Sequence, residues 1–325
     1  MDKKVLERYA KSARLKLIDL ISIEAKKIGI YIEGNETVIL PAEKADNMSF
    51  FVDGELIEYP IKARDNFKTL VDKMGYTYAI EEVAYTWFNR IIAIRLMEVN
   101  NYLANRTDGY TCYMIGSIEG NPVPDCLSDL EKLNFIDMDK ALQLFGKDNE
   151  LYKYLLTAQC HELSKSMPYV FEEIQDYTEM LLPSNILANG GIIDKLIKDI
   201  DEEYFNMAEG AQIELIGWLY QYYISERQHE IINIYKGIVK KEDIPAATQL
   251  FTPDWIVKYM VDNSLGKLWL EHNPESNIRQ IMKYYVEGAE QTADVQAILD
   301  KENSSLLKPE DIRFIDPCMG SGHIL

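Results

Sequence analysis

Apolar residues recur along this chain mostly at helical spacing (i, i+3, i+4) and only briefly at strand spacing. Between residues 3 and 28, Leu6, Tyr9, Ala10, Ala13, Leu17, Leu20 and Ile21 share one face. Lys4, Arg8, Lys11, Arg14 and Lys16 fall largely off that face, so the spacing predicts one amphipathic helix ending at Gly29. Residues 30–60 mix short extended pieces with Gly34-Asn35 and Asp53-Gly54, which predicts a small hairpin. From 78 to 102, Trp87, Phe88, Ile91, Ile92, Ile94, Leu96 and Val99 cover more than one helix face, the mark of a central core helix. Arg90 and Arg95 on it are expected to pair locally, with Glu82 or Glu98. Residues 105–124, rich in Gly, Asn and Pro, read as a loop, and 127–167 as two or three helices. Gly190-Gly191 precedes a short helix, and Asp199, Asp201, Glu202 and Glu203 read as a solvated face. Residues 212–235 predict another long helix through Ile213, Ile216, Gly217, Leu219, Tyr220 and Tyr223, whose tyrosines are expected to pack and not to stack on bases.

Residues 238–247, with Lys240-Lys241-Glu242-Asp243 and Pro245, predict a linker. It divides the chain into a helical N-terminal domain, 1–245, and a second domain, 246–325. There Thr252 is placed to N-cap a helix with Pro253 at its first position, and Ile256, Val257, Met260 and Val261 form its apolar face. Two or three helices are expected between 255 and 301. Asn303-Ser304-Ser305 and Lys308-Pro309 mark a turn. Phe314 and Ile315 suit a short buried strand, stopped by Asp316 and Pro317. Gly320 and Gly322 flank Ser321, and His323-Ile324-Leu325 reads as a first helical turn. A strand, a glycine turn and a helix start let a small ligand lie against bare backbone.

The ligand class follows from what surrounds the glycines. A phosphate loop needs Lys-Ser or Lys-Thr where His323-Ile324 stands, and a dinucleotide fingerprint needs a glycine where Leu325 stands. The remaining pattern, Asp-Pro-x-x-Gly-x-Gly, resembles the first motif of amino-methyltransferases that use S-adenosylmethionine (SAM). The stretch from Gln249 through Phe251-Thr252-Pro253 to Val261 resembles the motif that closes over SAM in adenine-specific DNA methyltransferases. The segments 86–98 (Thr-Trp-Phe-Asn-Arg-Ile-Ile-Ala-Ile-Arg-Leu-Met-Glu), 217–224 (Gly-Trp-Leu-Tyr-Gln-Tyr-Tyr-Ile) and 6–30 are similar to the N-terminal helical region of the large PglX-type adenine methyltransferases of BREX phage-defence systems. The resemblance runs along the whole chain.

It implies a mainly α N-terminal domain followed by the start of an α/β Rossmann-like SAM-dependent methyltransferase fold. The implied cofactor is SAM, held by Phe251, Thr252, Pro253, Asp316, Pro317, Cys318, Met319, Gly320, Ser321 and Gly322, with Asp316 facing the methionine ammonium group. The implied reaction is methyl transfer to adenine N6 in double-stranded DNA, with other BREX proteins as partners. The family accepts the adenine amino hydrogens with an Asn-Pro-Pro-Tyr type motif. Asn121-Pro122-Val123-Pro124 and Asn273-Pro274-Glu275 come nearest to it but lack the double proline and the aromatic. No catalytic residue is therefore expected in this span, and the chain reads as an N-terminal portion, inactive by itself. Two rivals stand beside this: a SAM-dependent methyltransferase of protein glutamine or RNA, and a helical scaffold without catalysis.

Charge and composition narrow the partners. The chain is 47% hydrophobic and 27% charged, which is globular, and its net charge is −19. Residues 1–30 hold eight basic and four acidic side chains, so the remainder carries −23. A DNA contact is thus expected only on the first helix, through Lys4, Arg8, Lys11 and Arg14, with Lys3 beside them. Asp19 with Glu24-Ala25-Lys26 mimics the end of a nuclease site, but such a site needs strands. Four scattered cysteines, Cys112, Cys126, Cys160 and Cys318, with no Cys-x-x-Cys pair, fit reduced thiols and argue against zinc. Cys160-His161-Glu162 points three ways on a helix and reads as structural. The chain shows no secretory signal and no apolar run of the ~18 residues a membrane helix needs, so a cytoplasmic location is expected.

Overall fold

The computed structural model describes residues 2–121, 123–168, 171, 176–209, 214–234, 239, 241–248 and 251–317. It is mainly helical and divides into two compact units, residues 1–247 and 248–325.

The first unit opens with α1 (Lys3–Lys27), capped by Asp2, whose side chain accepts from the Lys4 N–H. Its apolar face is buried as the spacing predicts, from Leu6 through Tyr9, Ala13 and Leu17 to Ile21. Gly29 then reverses the chain at a φ of +74°, where a Cβ would meet Val52 Cγ1 at 2.6 Å. Two small antiparallel sheets follow: β1 (Ile30–Glu33) with β2 (Glu36–Ile39), and β3 (Ala42–Lys44), β4 (Phe50–Val52) and β5 (Glu55–Ile57) in that order. Asp53 and Gly54, both at positive φ, make the β4–β5 turn, so the expected hairpin is present twice.

Next come α2 (Ile61–Met74) and α3 (Tyr76–Val99). Arg64 on α2 is 3% exposed and donates to the carbonyls of Ile28 (2.7 Å) and Leu40, tying α2 to the end of α1 and the first sheet. The helix α3 is the central element: Trp87, Phe88, Ile91, Ile92 and Ile94 are all buried, and Trp87 Nε1 donates to the Thr178 carbonyl at 2.8 Å. The unit continues with α4 (Met138–Gln143), α5 (Asp148–Ser166), α6 (Asp176–Met180), α7 (Ile192–Asp199), α8 (Glu214–Ile234) and α9 (Ile244–Thr248). The first helix packs against α3, α7 and α8, and α2 against α3 and α6. The tyrosines of α8 pack as expected, with Tyr223 4.5 Å from Phe88 and Tyr220 5.3 Å from Tyr85 between ring centroids.

Long loops are fastened to this core by buried polar side chains. Glu98 at the end of α3 is fully buried. Its carboxylate accepts from the N–H groups of Met114 (2.7 Å), Ile115 (2.9 Å) and Gly116 (3.0 Å) and from Arg95 (2.7 Å). Burial pushes this carboxyl up, and Arg95 with the backbone donors opposes the shift. Arg95 also reaches Glu202 at 2.7 Å, so the acidic run beyond α7 is not wholly solvated.

The second unit holds α10 (Asp254–Asp262), α11 (Leu265–His272) and α12 (Ala293–Glu302). Its buried apolar side chains among the described residues are Phe251, Val257 and Met282. Side chains bonded to backbone hold its loops. Asn263 bonds the carbonyl of Tyr284 and the N–H of Val286, both at 2.8 Å, and Asp262 accepts from the Tyr284 N–H at 2.8 Å. The expected strand at Phe314-Ile315 is not formed. Residues 312–316 have no ladder partner among the described residues, and Phe314 and Ile315 are 46% and 84% exposed. A strand is defined by its neighbour's hydrogen bonds, and none is offered here. No helix of the described residues is long and apolar enough to cross a membrane.

Candidate functional site

Both stretches expected to hold the cofactor fall in the second unit, and the local geometry of the first differs from the sequence expectation. Pro253, with φ −58° and ψ 142°, is itself the N-cap of α10, which starts at Asp254. Proline's fixed φ suits either the cap or the first helical position, and the extended ψ decides for the cap. Thr252 therefore stands one residue outside the helix, half-buried, behind a buried Phe251. The apolar face of α10 is only partly covered: Val257 is buried and Ile256 and Val261 half-buried, whereas Trp255, Tyr259 and Met260 are 56%, 47% and 45% exposed. Lys258 pairs with Asp254 at 2.7 Å across one helical turn.

Asp316 is half-buried and Pro317 exposed. A half-buried carboxylate suits an ammonium group, since a charge-assisted hydrogen bond gains strength away from bulk water. A carboxylate able to accept hydrogen bonds at Asp316 and a buried ring at Phe251 are groups of the kind a SAM ligand would need. Cys318, Met319, Gly320, Ser321 and Gly322, with the helical turn expected after them, lie outside the described residues. Asn273 is committed elsewhere, its amide donating to the carbonyls of Trp269 and Leu307, both at 3.2 Å. Asn121 is exposed beside Glu119, 3.4 Å away.

The basic residues of α1 are mostly engaged within the protein. Arg14 is a correction to the expected phosphate contact: its side chain is 8% exposed, paired with Glu81 and, at 3.3 Å, with Glu226. Those acids stand 67 and 212 positions away in sequence, so a helical wheel of α1 alone places Arg14 at the surface. Lys11 pairs with Glu7 at 2.8 Å, Lys16 donates to the Gly190 carbonyl, and Lys3 Nζ lies 3.8 Å from the Trp218 ring centroid. Lys4 and Arg8 are exposed and make no ion pair among the described residues. Asp19 and Lys26 sit on the same helix, which lacks the strands a nuclease site needs.

Of the Cys160-His161-Glu162 run, Cys160 points into the core with its thiol pushed up to about 12 by burial, whereas His161 is about half exposed. No cluster of side chains with metal-binding spacing occurs among the described residues. Sequence reasoning missed Asp243, which it read as part of a linker. It is 4% exposed and bonded to Tyr78 and Arg227. An acid inside a Lys-Lys-Glu-Asp run gives no sign of burial, because its partners come from α3 and α8.

No family model matches the chain. It is similar to the adenine-specific methyltransferase BrxX of Escherichia coli O9:H4 (strain HS), 38% identical over 98% of this chain and 26% of that protein. It is also similar to the adenine-specific methyltransferase PglX of Lacticaseibacillus casei (strain Zhang), 35% identical over 100% of this chain and 28% of that protein. The chain thus spans about a quarter of the length of the curated relatives it matches. Identity at this level along the whole chain places it in the PglX-type family of BREX adenine-specific methyltransferases.

Proposed function

We propose that this chain is the N-terminal portion of an enzyme that transfers a methyl group from SAM to adenine N6 in double-stranded DNA, as part of BREX phage defence in the cytoplasm. The observation that carries the reading is that Phe251-Thr252-Pro253 and Asp316-Pro317 lie in one compact unit of a chain whose relatives are named adenine-specific methyltransferases. In this reading residues 246–325 begin a Rossmann-like fold. Asp316 accepts hydrogen bonds from the methionine ammonium group, residues 317–322 admit the cofactor backbone, and Phe251, Thr252 and Pro253 close over it. SAM supplies a methyl group on a positively charged sulfur.

Adenine N6 is a weak nucleophile because its lone pair is shared with the ring, so the base must leave the duplex and its amino hydrogens must be accepted by side chain and backbone oxygens. Those groups are proposed to lie in sequence that the relatives carry outside the matched quarter. Lys4 and Arg8 remain as candidate phosphate contacts, Lys11 only if it leaves Glu7.

Calorimetric titration of SAM into the full-length enzyme tests the cofactor site. Asp316→Ala is expected to weaken binding at least tenfold, since a charge-assisted hydrogen bond is worth about 1.5–3 kcal/mol. Equal affinity in wild type and variant would remove Asp316 from the site.

A further inference from the structure

Within the first unit, the seam between α1 and α8 carries two aromatic rings that the core does not fully take up. Leu215, Leu219 and Tyr223 form the buried stripe of α8. Trp218 and Tyr222, one turn apart beside that stripe, are only half-buried. Their ring centroids are 5.9 Å apart and their planes lie within 23° of parallel. The ammonium of Lys3, an exposed residue of α1, stands 3.8 Å from the Trp218 centroid. Farther along the seam Arg14 donates to Glu226 of α8 at 3.3 Å, so the two helices run side by side. At about 100° per residue, Lys4 and Arg8 fall on the outer side of α1, next to Lys3. Both are exposed. The acids along the seam are already engaged: Glu7 pairs with Lys11, Glu226 with Arg14, and Asp2 caps α1. In a chain of net charge −19, residues 1–30 hold eight basic side chains against four acidic ones.

We infer that Trp218 and Tyr222 form a platform on which unpaired bases of single-stranded DNA stack, beside the basic outer side of α1. The choice of DNA rests on the reading of Lys4 and Arg8 as phosphate contacts. Packing accounts for Tyr223, whose buried ring lies 4.5 Å from Phe88. It does not call for two near-parallel rings at the rim beneath an exposed lysine. Unpaired bases turn their π faces to water, and an aromatic side chain recovers stacking from any of them, whatever the sequence. A duplex keeps its bases stacked on one another and offers this surface only phosphates. The platform therefore distinguishes a single strand from a duplex, which the charges on α1 do not. In the free protein the Lys3 ammonium sits over the Trp218 ring, a cation–π contact worth little at an exposed site. A swing of Lys3 to a phosphate opens that ring to a base.

The test measures binding of the full-length enzyme, by fluorescence anisotropy, to a labelled DNA strand and to its duplex at several salt concentrations. Trp218→Leu and Tyr222→Leu are each expected to bind the single strand about tenfold more weakly, with duplex affinity and salt slope unchanged. Tyr222→Phe keeps the ring and is expected to bind as wild type does. A strand carrying iodouracil, irradiated with the wild-type enzyme, is expected to attach to the α8 peptide that holds Trp218 and Tyr222, which serves if the leucine variants fail to fold. Unchanged single-strand affinity in both leucine variants overturns the inference, as does crosslinking only outside that peptide or an equal loss on strand and duplex. Tighter binding of RNA of the same sequence overturns the assignment to DNA. An unaltered salt slope in Lys4→Ala with Arg8→Ala overturns the phosphate contacts alone, and a wild-type enzyme that binds the duplex but not the single strand overturns the platform alone.

Discussion

The two units of this chain are held together by different physics. In the first, an apolar core runs from Leu6 to Tyr223, and Trp87 at its centre has no exposed surface. In the second, three described apolar side chains are buried, and Asp262, Asn263 and Asn273 fasten loops by bonding backbone groups. The second unit instead displays large apolar groups: Trp255, Ile281, Val286, Ile298, Leu306 and Ile315 are each more than half exposed. Burial of apolar surface is the main source of stability, so the first unit has what a self-sufficient domain needs. Hydrogen bonds contribute only about 0.5–1.5 kcal/mol each after the exchange with water, which leaves the second unit dependent on few, modest terms.

Paired substitutions of tryptophan break this comparison most sharply. Trp87→Ala is expected to cost about 3–5 kcal/mol, the range for emptying a large aromatic site, and it also strands the Thr178 carbonyl. Trp255→Ala on α10 is expected to fall within about 0.5 kcal/mol of wild type, as exposed substitutions do. Urea denaturation of the chain and its two variants gives both numbers. A large loss from Trp255→Ala would mean that the second unit depends on a contact this exposure does not show.

A smaller effect separates the first unit's apolar burial from its buried charge. Lys153 on α5 lies against Tyr59 and donates to the Met180 carbonyl at 3.2 Å. Burial lowers its ammonium to about 8, against the opposing pull of Glu24 and Glu179. The unfolded chain keeps the proton up to about pH 10.4. Between those values the unfolded chain binds more protons, so this group's contribution rises with pH; below about 8 its penalty is full and constant. Lys153→Met is therefore expected to stabilise the protein at pH 7 by on the order of 2 kcal/mol, with the gain shrinking from pH 8 to 10. Thermal melts of both proteins across that range check the sign, and a gain that grows with pH would contradict it.

How much of this was legible in the sequence differs between the units for the same reason. Helical spacing located α1 and α3 within two or three residues at each end, because a long helix repeats its pattern many times. Asp53-Gly54 identified a turn because few residues accept its backbone. Contacts between distant segments left no such trace. The Arg14 pairing with Glu81 and Glu226, the three N–H groups on Glu98 and the bonds of Asp243 to Tyr78 and Arg227 each join segments whose local patterns read as ordinary surface or loop. At the candidate site, Phe251 to Pro253 and Asp316 were singled out by resemblance to methyltransferase motifs. Whether Pro253 caps its helix or begins it depends on one ψ angle, which the sequence does not carry.

The smallest expected effect concerns DNA. Lys4→Ala with Arg8→Ala is expected to weaken binding similarly for all sequences and to lower the slope of log affinity against log salt by ~0.9 per lost phosphate contact. Arg14→Ala should instead cost folding stability, since it leaves Glu81 near the surface of the core without its partner. Binding to duplexes at several salt concentrations separates the two. An unaltered slope in the Lys4, Arg8 double variant would assign α1 to packing alone.

The proposed methyl transfer is tested by incubating the full-length enzyme with SAM labelled in its methyl group and DNA of mixed sequence. Nucleosides are then released and separated. Label is expected in N6-methyladenine, lost in Asp316→Ala, and none from the 325-residue chain by itself. Label on cytosine, RNA or protein but not on adenine, or N6-methyladenine formed equally well by Asp316→Ala, would contradict it.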